Sequence, residues 1–201
     1  MNPMPDAPAI TLASGSEARA RLLRAAGVAV AIRPARVDED AVRAALEAEG
    51  APPRDVADAL AEMKAVKGAA AGLVLGADQV LELDGAVLAK APDRAAGRAQ
   101  LRALRGRTHR LHAAAVVAEG GRPVWRHVAT VRVTMRDFSD GYLDDYLARN
   151  WDAVREAVGC YHVEGEGARL LARIDGDLFA VQGLPLLEVL GWLAARGAVA
   201  S

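Results

Sequence analysis

The stretch Leu12-Ala13-Ser14-Gly15-Ser16-Glu17-Ala18-Arg19-Ala20-Arg21-Leu22-Leu23 constrains this chain most. An apolar run breaks into a turn of small residues and resumes as a basic, amphipathic segment. That order reads as strand, phosphate-sized loop and helix start. Ser14, Gly15 and Ser16 let a ligand approach the backbone, and the first amides of a helix are unpaired donors whose dipole favours an anion. Arg19 falls in the first turn, where a guanidinium can fork onto phosphate oxygens. The same residues also read as a capped surface helix with solvated arginines, so the rest of the chain must decide.

Residues 9–13 and 28–32 read as short strands, 17–26 as a helix stopped by Gly27, and 38–49 and 55–71 as helices separated by a break at 50–53. Residues 73–78 form an apolar run ending in an acid, followed by 79–83, the Asp84-Gly85 hairpin signal and 86–89. A helix over 93–104 closes at Gly106, and 108–118 and 123–135 alternate around Gly120-Gly121 as a long hairpin. Ser139 with Asp140 opens a helix to about Arg149, 168–174 reads as a strand, and a last helix after Gly183 and Pro185 ends near Arg196. Strands and helices interleave while long hairpins intrude, so the expected class is α/β, a mixed central sheet flanked by helices. No linker or repeat divides residues 1–201, which read as a single domain.

Composition excludes several functions. Twenty-five basic against twenty-six acidic side chains leave a net charge of -1, so no global field holds nucleic acid or an anionic membrane. One cysteine, Cys160, excludes an internal disulfide and a cysteine-cluster metal site. No stretch reaches the ~20 apolar residues of a membrane span, and Met1 to Asp6 lacks a secretory pattern. A cytoplasmic protein is expected.

Asp78, read as closing a buried strand, points into the crevice beside the end of the first strand. A carboxylate there can hold Mg²⁺ or orient and deprotonate water; an acid capping the turn into the hairpin is the equal alternative. Glu39, in Val37-Asp38-Glu39-Asp40, reads first as an acid at a helix N-terminus and second as a metal ligand. Lys64 and Lys90 read on their own as solvated lysines. His109, His112, His127 and His162 are read as hydrogen-bonded structural residues, Cys160 as a buried filler, and Trp125, Trp151 and Trp192 as scattered, without a stacking platform.

Together, Leu12-Ala13-Ser14-Gly15-Ser16 with Arg19, Val37-Asp38-Glu39, Lys64-Ala65, Gly76-Ala77-Asp78-Gln79, Lys90, Leu104-Arg105-Gly106-Arg107-Thr108-His109, Gly159-Cys160-Tyr161 with Glu164-Gly165, and Gly183-Leu184-Pro185-Leu186 resemble the Maf family of nucleoside triphosphate pyrophosphatases, in family order over residues 10–197. The resemblance implies a Maf-like fold, akin to inosine triphosphate pyrophosphatase, with two lobes around a nucleotide cleft. It implies hydrolysis of a nucleoside triphosphate to monophosphate and diphosphate, with Mg²⁺ or Mn²⁺, in a chain that dimerises with its own copy. Carried over by position, Asp78 becomes the base that activates water, and Ser14, Ser16, Arg19, Lys64 and Lys90 hold the triphosphate. Glu39 and Asp78 bind metal, and Ala18, Gln79 and Glu164 line the base.

Glutamine and glutamate at the last two of those positions resemble the 7-methyl-GTP branch, while the ring that branch places at the first is replaced by Ala18. The alternatives are a pyrophosphatase of the dTTP/UTP type and a nucleotide-binding regulator of cell division with weakened catalysis. The family's Ser-Pro-Arg-Arg is here Ser16-Glu17-Ala18-Arg19, so Glu17 is expected to repel a triphosphate unless it points outward.

Overall fold

The computed structural model describes residues 8–68 and 72–200. Strand β1 (Ile10–Leu12) passes through the Ser14-Gly15 turn into helix α1 (Glu17–Ala25), whose N-cap Ser16 accepts from the Arg19 backbone N–H at 3.4 Å. There follow β2 (Val30–Ile32), α2 (Glu39–Ala48) capped by Asp38, and α3 (Pro53–Lys67). Pro53 suits the first helical position because its missing N–H would have had no helical partner. Next come β3 (Leu73–Leu83), β4 (Ala86–Leu88), α4 (Arg94–Leu104), and the hairpin β5 (Thr108–Glu119) and β6 (Arg122–Met135). The chain ends with α5 (Asp140–Val154), β7 (Leu171–Asp175), the short α6 (Leu178–Val181) and α7 (Leu186–Ala195).

The expected mixed sheet has seven strands in the order β2-β1-β3-β5-β6-β7, with β4 paired to β3. β1 is parallel to β2 and β3, and the other pairs are antiparallel. Strand side chains alternate faces, and β3 separates three cores in this way. Leu75 and Ala77 join Leu23 of α1 and Val189 and Leu193 of α7. Leu81 and Leu83, farther along the same face, join Leu101 and Leu104 of α4 and Leu143 and Tyr146 of α5. Val80, on the opposite face, packs with Leu60 and Ala61 of α3. The two lobes are thus two cores on one face of a continuous sheet, and Gln79 falls between them.

Several boundaries differ from the sequence reading. β3 does not end at Asp78, because β5 pairs with it from Leu73 through Glu82. Its other edge is covered only in part: β1 meets it at Val74 and Leu75, and β4 at Leu81 to Leu83. Residues 76–80 therefore have no strand on that side. Helix α5 continues beyond Arg149 to Val154, held by burial of Val154 and by Trp151 seated on Gly97 of α4. Residues 168–170 belong to a 3₁₀ turn, with Gly167 packed tightly on the backbone of His162, so the strand starts only at Leu171. The expected helical residues 69–71, like Met1 to Asp6, lie outside the described residues.

Trp125 and Trp192 are not scattered in space: β6 and α7 bring them into a stack with centroids 5.9 Å apart and planes at 28°. Among the described residues, no helix is long and apolar enough to cross a membrane.

Candidate active site

The uncovered part of β3 is where polar side chains gather. Asp78 and Gln79 project to opposite faces there, and the surrounding elements enclose a cleft of about 570 Å³. Helix α3 lies against Gly76 so closely that a Cβ would sit 2.0 Å from the Ala61 carbonyl oxygen. That seating carries Lys64 to the strand. Its Nζ donates to Asp78 Oδ1 at 2.6 Å and lies 2.9 Å from Glu39 Oε1 on the first residue of α2. Lys64 and Asp78 are both buried. Burial pushes the Glu39 pKa up, but the Lys64 hydrogen bond and the charges of Lys64, Lys90 and Arg19 outweigh it and hold the carboxyl below its ordinary value.

Arg19, although basic, is buried. Its Nη1 donates to Ser14 Oγ at 3.0 Å and to the Ala77 carbonyl at 2.8 Å, and its Nε donates to the Gly183 carbonyl at 2.8 Å. The Ala77 carbonyl lies in the stretch that no strand covers, so a side chain completes the pairing that β1 leaves off. Burial lowers the Arg19 pKa, with Asp78 and Glu39 opposing that shift. Ser14 Oγ also accepts from the Ser16 N–H at 3.2 Å, which fixes the turn. Glu17 stands at the rim of the cleft, its side chain 78% exposed and paired with Arg24 at 3.0 Å along α1. Ala18 adds only a methyl to the wall.

Lys90, after β4, is half exposed and 3.6 Å from Glu156. Gln79 Nε2 donates to the carbonyls of Ala180 and Val181 of α6, at 2.8 and 3.0 Å, which leaves its Oε1 as the free acceptor. Glu164 Oε1 accepts from Arg21 at 2.7 Å. Every residue singled out from the motifs, from Ser14, Ser16, Ala18 and Arg19 through Glu39, Lys64, Asp78, Gln79 and Lys90 to Glu164, lines this one cleft.

Of the remaining polar candidates His162 also lines the cleft, whereas His109, His112, His127 and Cys160 are not part of its wall. His109 Nε2 is 2.7 Å from Tyr161 Oη, and His112 lies between Thr130 Oγ1 at 3.0 Å and Glu82 Oε2 at 2.7 Å. Cys160 is buried, and burial pushes its thiol pKa up to about 11, away from nucleophilic use.

The donor set suits a hard divalent cation. Asp78 Oδ2 is buried and has no hydrogen-bond partner among the described residues, an arrangement that costs free energy unless something is bound there. No group of three or more His, Cys, Asp or Glu side chains positioned to hold a metal occurs among the described residues. Two carboxylates with oxygens from phosphate and water would complete the shell, as Mg²⁺ prefers.

Residues 9–196 match the family model described as Maf-like protein. The chain belongs to the Maf family. Among its Maf relatives, the protein named nucleoside triphosphate pyrophosphatase in Roseobacter denitrificans is 55% identical over 191 residues, covering 94% of this chain and 96% of that protein. Proteins of the same name in Ruegeria pomeroyi and Caulobacter vibrioides are 53% and 50% identical over 193 and 192 residues, covering 94% of this chain in each case and 97% and 96% of theirs.

Gly183, although part of a quoted motif, and Arg43 contribute to this Maf cleft in ways the sequence reading did not assign. Gly183, at φ +98°, turns its carbonyl onto Arg19, and a Cβ there would lie 3.3 Å from Arg19 Nε. The glycine in the Gly183-Leu184-Pro185 turn was the available signal. Arg43 also reaches the wall, from one turn beyond Glu39 on α2; its i+4 spacing from Glu39 was the signal.

Proposed function

We propose that this Maf protein hydrolyses a nucleoside triphosphate to the monophosphate and diphosphate, with Mg²⁺ or Mn²⁺ held by Asp78 and Glu39. The observation that carries this is the Asp78 carboxylate: one oxygen is fixed by Lys64 at 2.6 Å, while the other is buried and has no partner among the described residues, in a cleft whose wall includes Arg19, Arg43, Lys64 and Lys90. The names of relatives about half identical over nearly the whole chain support the same reading.

In this reading Oδ2 of Asp78 takes a proton from a water whose oxygen bonds to the α-phosphorus. The bond from that phosphorus to the bridging oxygen breaks, and diphosphate leaves. Lys64 holds Asp78 and Glu39 at one point, which keeps Oδ2 aimed. The N-terminus of α1 and Lys90 supply positive potential for the phosphates. A bound metal would neutralise phosphate charge and polarise the attacked group. Positioning and electrostatics then carry most of the rate.

For the base, we favour a guanine, in the form of 7-methyl-GTP. Gln79 directs both amide donations to Ala180 and Val181, so it offers the cleft an acceptor, and Glu164 offers its second carboxylate oxygen. An acceptor wall suits the N1–H and amino donors of guanine and the positive ring of its methylated form. It leaves the carbonyl oxygens of a uracil or thymine unpaired. The reducing cytoplasm suits a protein whose one cysteine is free.

The test measures diphosphate release from 7-methyl-GTP, GTP, UTP and dTTP with Mg²⁺ or Mn²⁺, for wild type and Asp78→Asn. The expected result is turnover that prefers the methylated guanine nucleotide and falls by at least ~10²-fold in the variant. Absence of turnover on any nucleotide, or an unchanged rate in Asp78→Asn, overturns the mechanism. A pyrimidine preference overturns the base assignment alone.

A further inference from the structure

The cleft's cations are not equally free to meet a ligand. Lys64 is buried between two carboxylates. Arg19 directs Nε and Nη1 at three protein oxygens. Lys90 is 53% exposed, with Glu156 3.6 Å away. Arg43 differs from all of these: its side chain is only 15% exposed, yet its ion-pair partner, Asp40, at 3.0 Å, is 94% exposed.

Such an i,i+3 pair with a solvated partner is weak and screened by water. It engages one guanidinium nitrogen, Nη1, and no other hydrogen bond from this side chain occurs among the described residues. An arginine laid into the wall of a cleft, with a planar fork of donors open, is built for an oxyanion of matching geometry. Its place follows from a chain of contacts. Asp78 meets Lys64, Lys64 meets Glu39, and Arg43 stands one helical turn beyond Glu39 on the same face of α2.

We infer that Arg43 is the clamp for the diphosphate end of the substrate and for the diphosphate that leaves. The inference rests on the hydrolase reading above for the identity of the ligand. As the bond to the α-phosphorus breaks, negative charge gathers on the departing oxygen, and a guanidinium on that side stabilises it without moving a proton. Among the described residues no other cation lining the cleft combines a mostly covered side chain with a guanidinium held at a single nitrogen.

Calorimetric titration with inorganic diphosphate and Mg²⁺ tests this without turnover. Arg43→Ala is expected to weaken diphosphate binding about tenfold, Arg43→Lys to recover part of the loss, and both to bind GMP as wild type does. Asp40→Ala, which frees the guanidinium, is expected to bind diphosphate as well as wild type or better. Arg43→Ala binding diphosphate like wild type overturns the assignment, as does wild type failing to bind diphosphate or Asp40→Ala weakening it as much as Arg43→Ala does. Wild type that binds diphosphate but hydrolyses no triphosphate removes the hydrolase reading and leaves Arg43 as a diphosphate site.

Discussion

Lys64 shows how one residue can serve the fold and the site together. Two carboxylates converge on its Nζ within 2.9 Å, so neither would be held in place without it. His109 carries the opposite kind of constraint. It is 1% exposed, burial takes its pKa down to about 4 from 6.5, and its ring remains neutral beside Tyr161. The unfolded chain binds a proton near pH 6.5, whereas the folded chain does not until about pH 4. Stability is therefore full above pH 6.5 and declines as pH falls through that window, by about 3 kcal/mol from this residue. Glu39 and Glu82, both held below their ordinary values, add loss in the same direction at lower pH. Nitrogen chemical shifts of the His109 ring should be those of neutral imidazole at pH 5, and urea midpoints should fall between pH 6.5 and 4. A ring that titrates near 6.5 would show that burial does not exclude the proton.

Among the elements, β3 and α3 form the unit on which the site depends. Gly76 has no Cβ to keep α3 away; an added methyl would lie 2.0 Å from the Ala61 carbonyl oxygen and 2.4 Å from the Ala65 nitrogen. Both are backbone atoms and cannot turn aside, so Gly76→Ala must displace the helix and Lys64 with it. The expected cost is at the upper end of the ~1–3 kcal/mol of overpacking, with turnover falling as well, read by urea unfolding and diphosphate release. A loss below about 1 kcal/mol would mean that α3 has room to shift.

The same pair shows what the sequence made legible. The apolar run from Leu73, the Asp84-Gly85 turn and the alternation of the long hairpin are local signals, and each appears as an element. The path of β3 through Asp78 was hidden, because an acid inside an apolar run looks like an end until β5 is known to pair alongside it. The open edge at 76–80 depends on where β1 and β4 stop, which no window of residues carries. The motifs singled out Arg19, which lines the cleft, but its bonds to Ala77 and Gly183 join segments far apart in the chain. The Trp125–Trp192 stack was hidden for the same reason.

Across the whole molecule, the cleft is a gap that the three cores surround but do not fill. α1 and α7 on one side, α4 and α5 on the other, and α3 beneath bury their apolar faces against the sheet without reference to any ligand. Glu39 and Asp78 already share Lys64, so their mutual repulsion is answered without the metal proposed for them. Folding and metal binding should then be separable, unlike structural zinc sites in which binding energy is folding energy. Chelator treatment is expected to abolish triphosphate turnover while the melting temperature stays within about 4 °C of the untreated protein, a shift equivalent to roughly 1 kcal/mol in a chain of this size. Added Mg²⁺ should restore turnover without a refolding lag. A chelated protein that melts far below this range would place the metal among the forces holding α2 and α3 to β3, and one that keeps full turnover would remove metal from the chemistry assigned to Asp78 and Glu39.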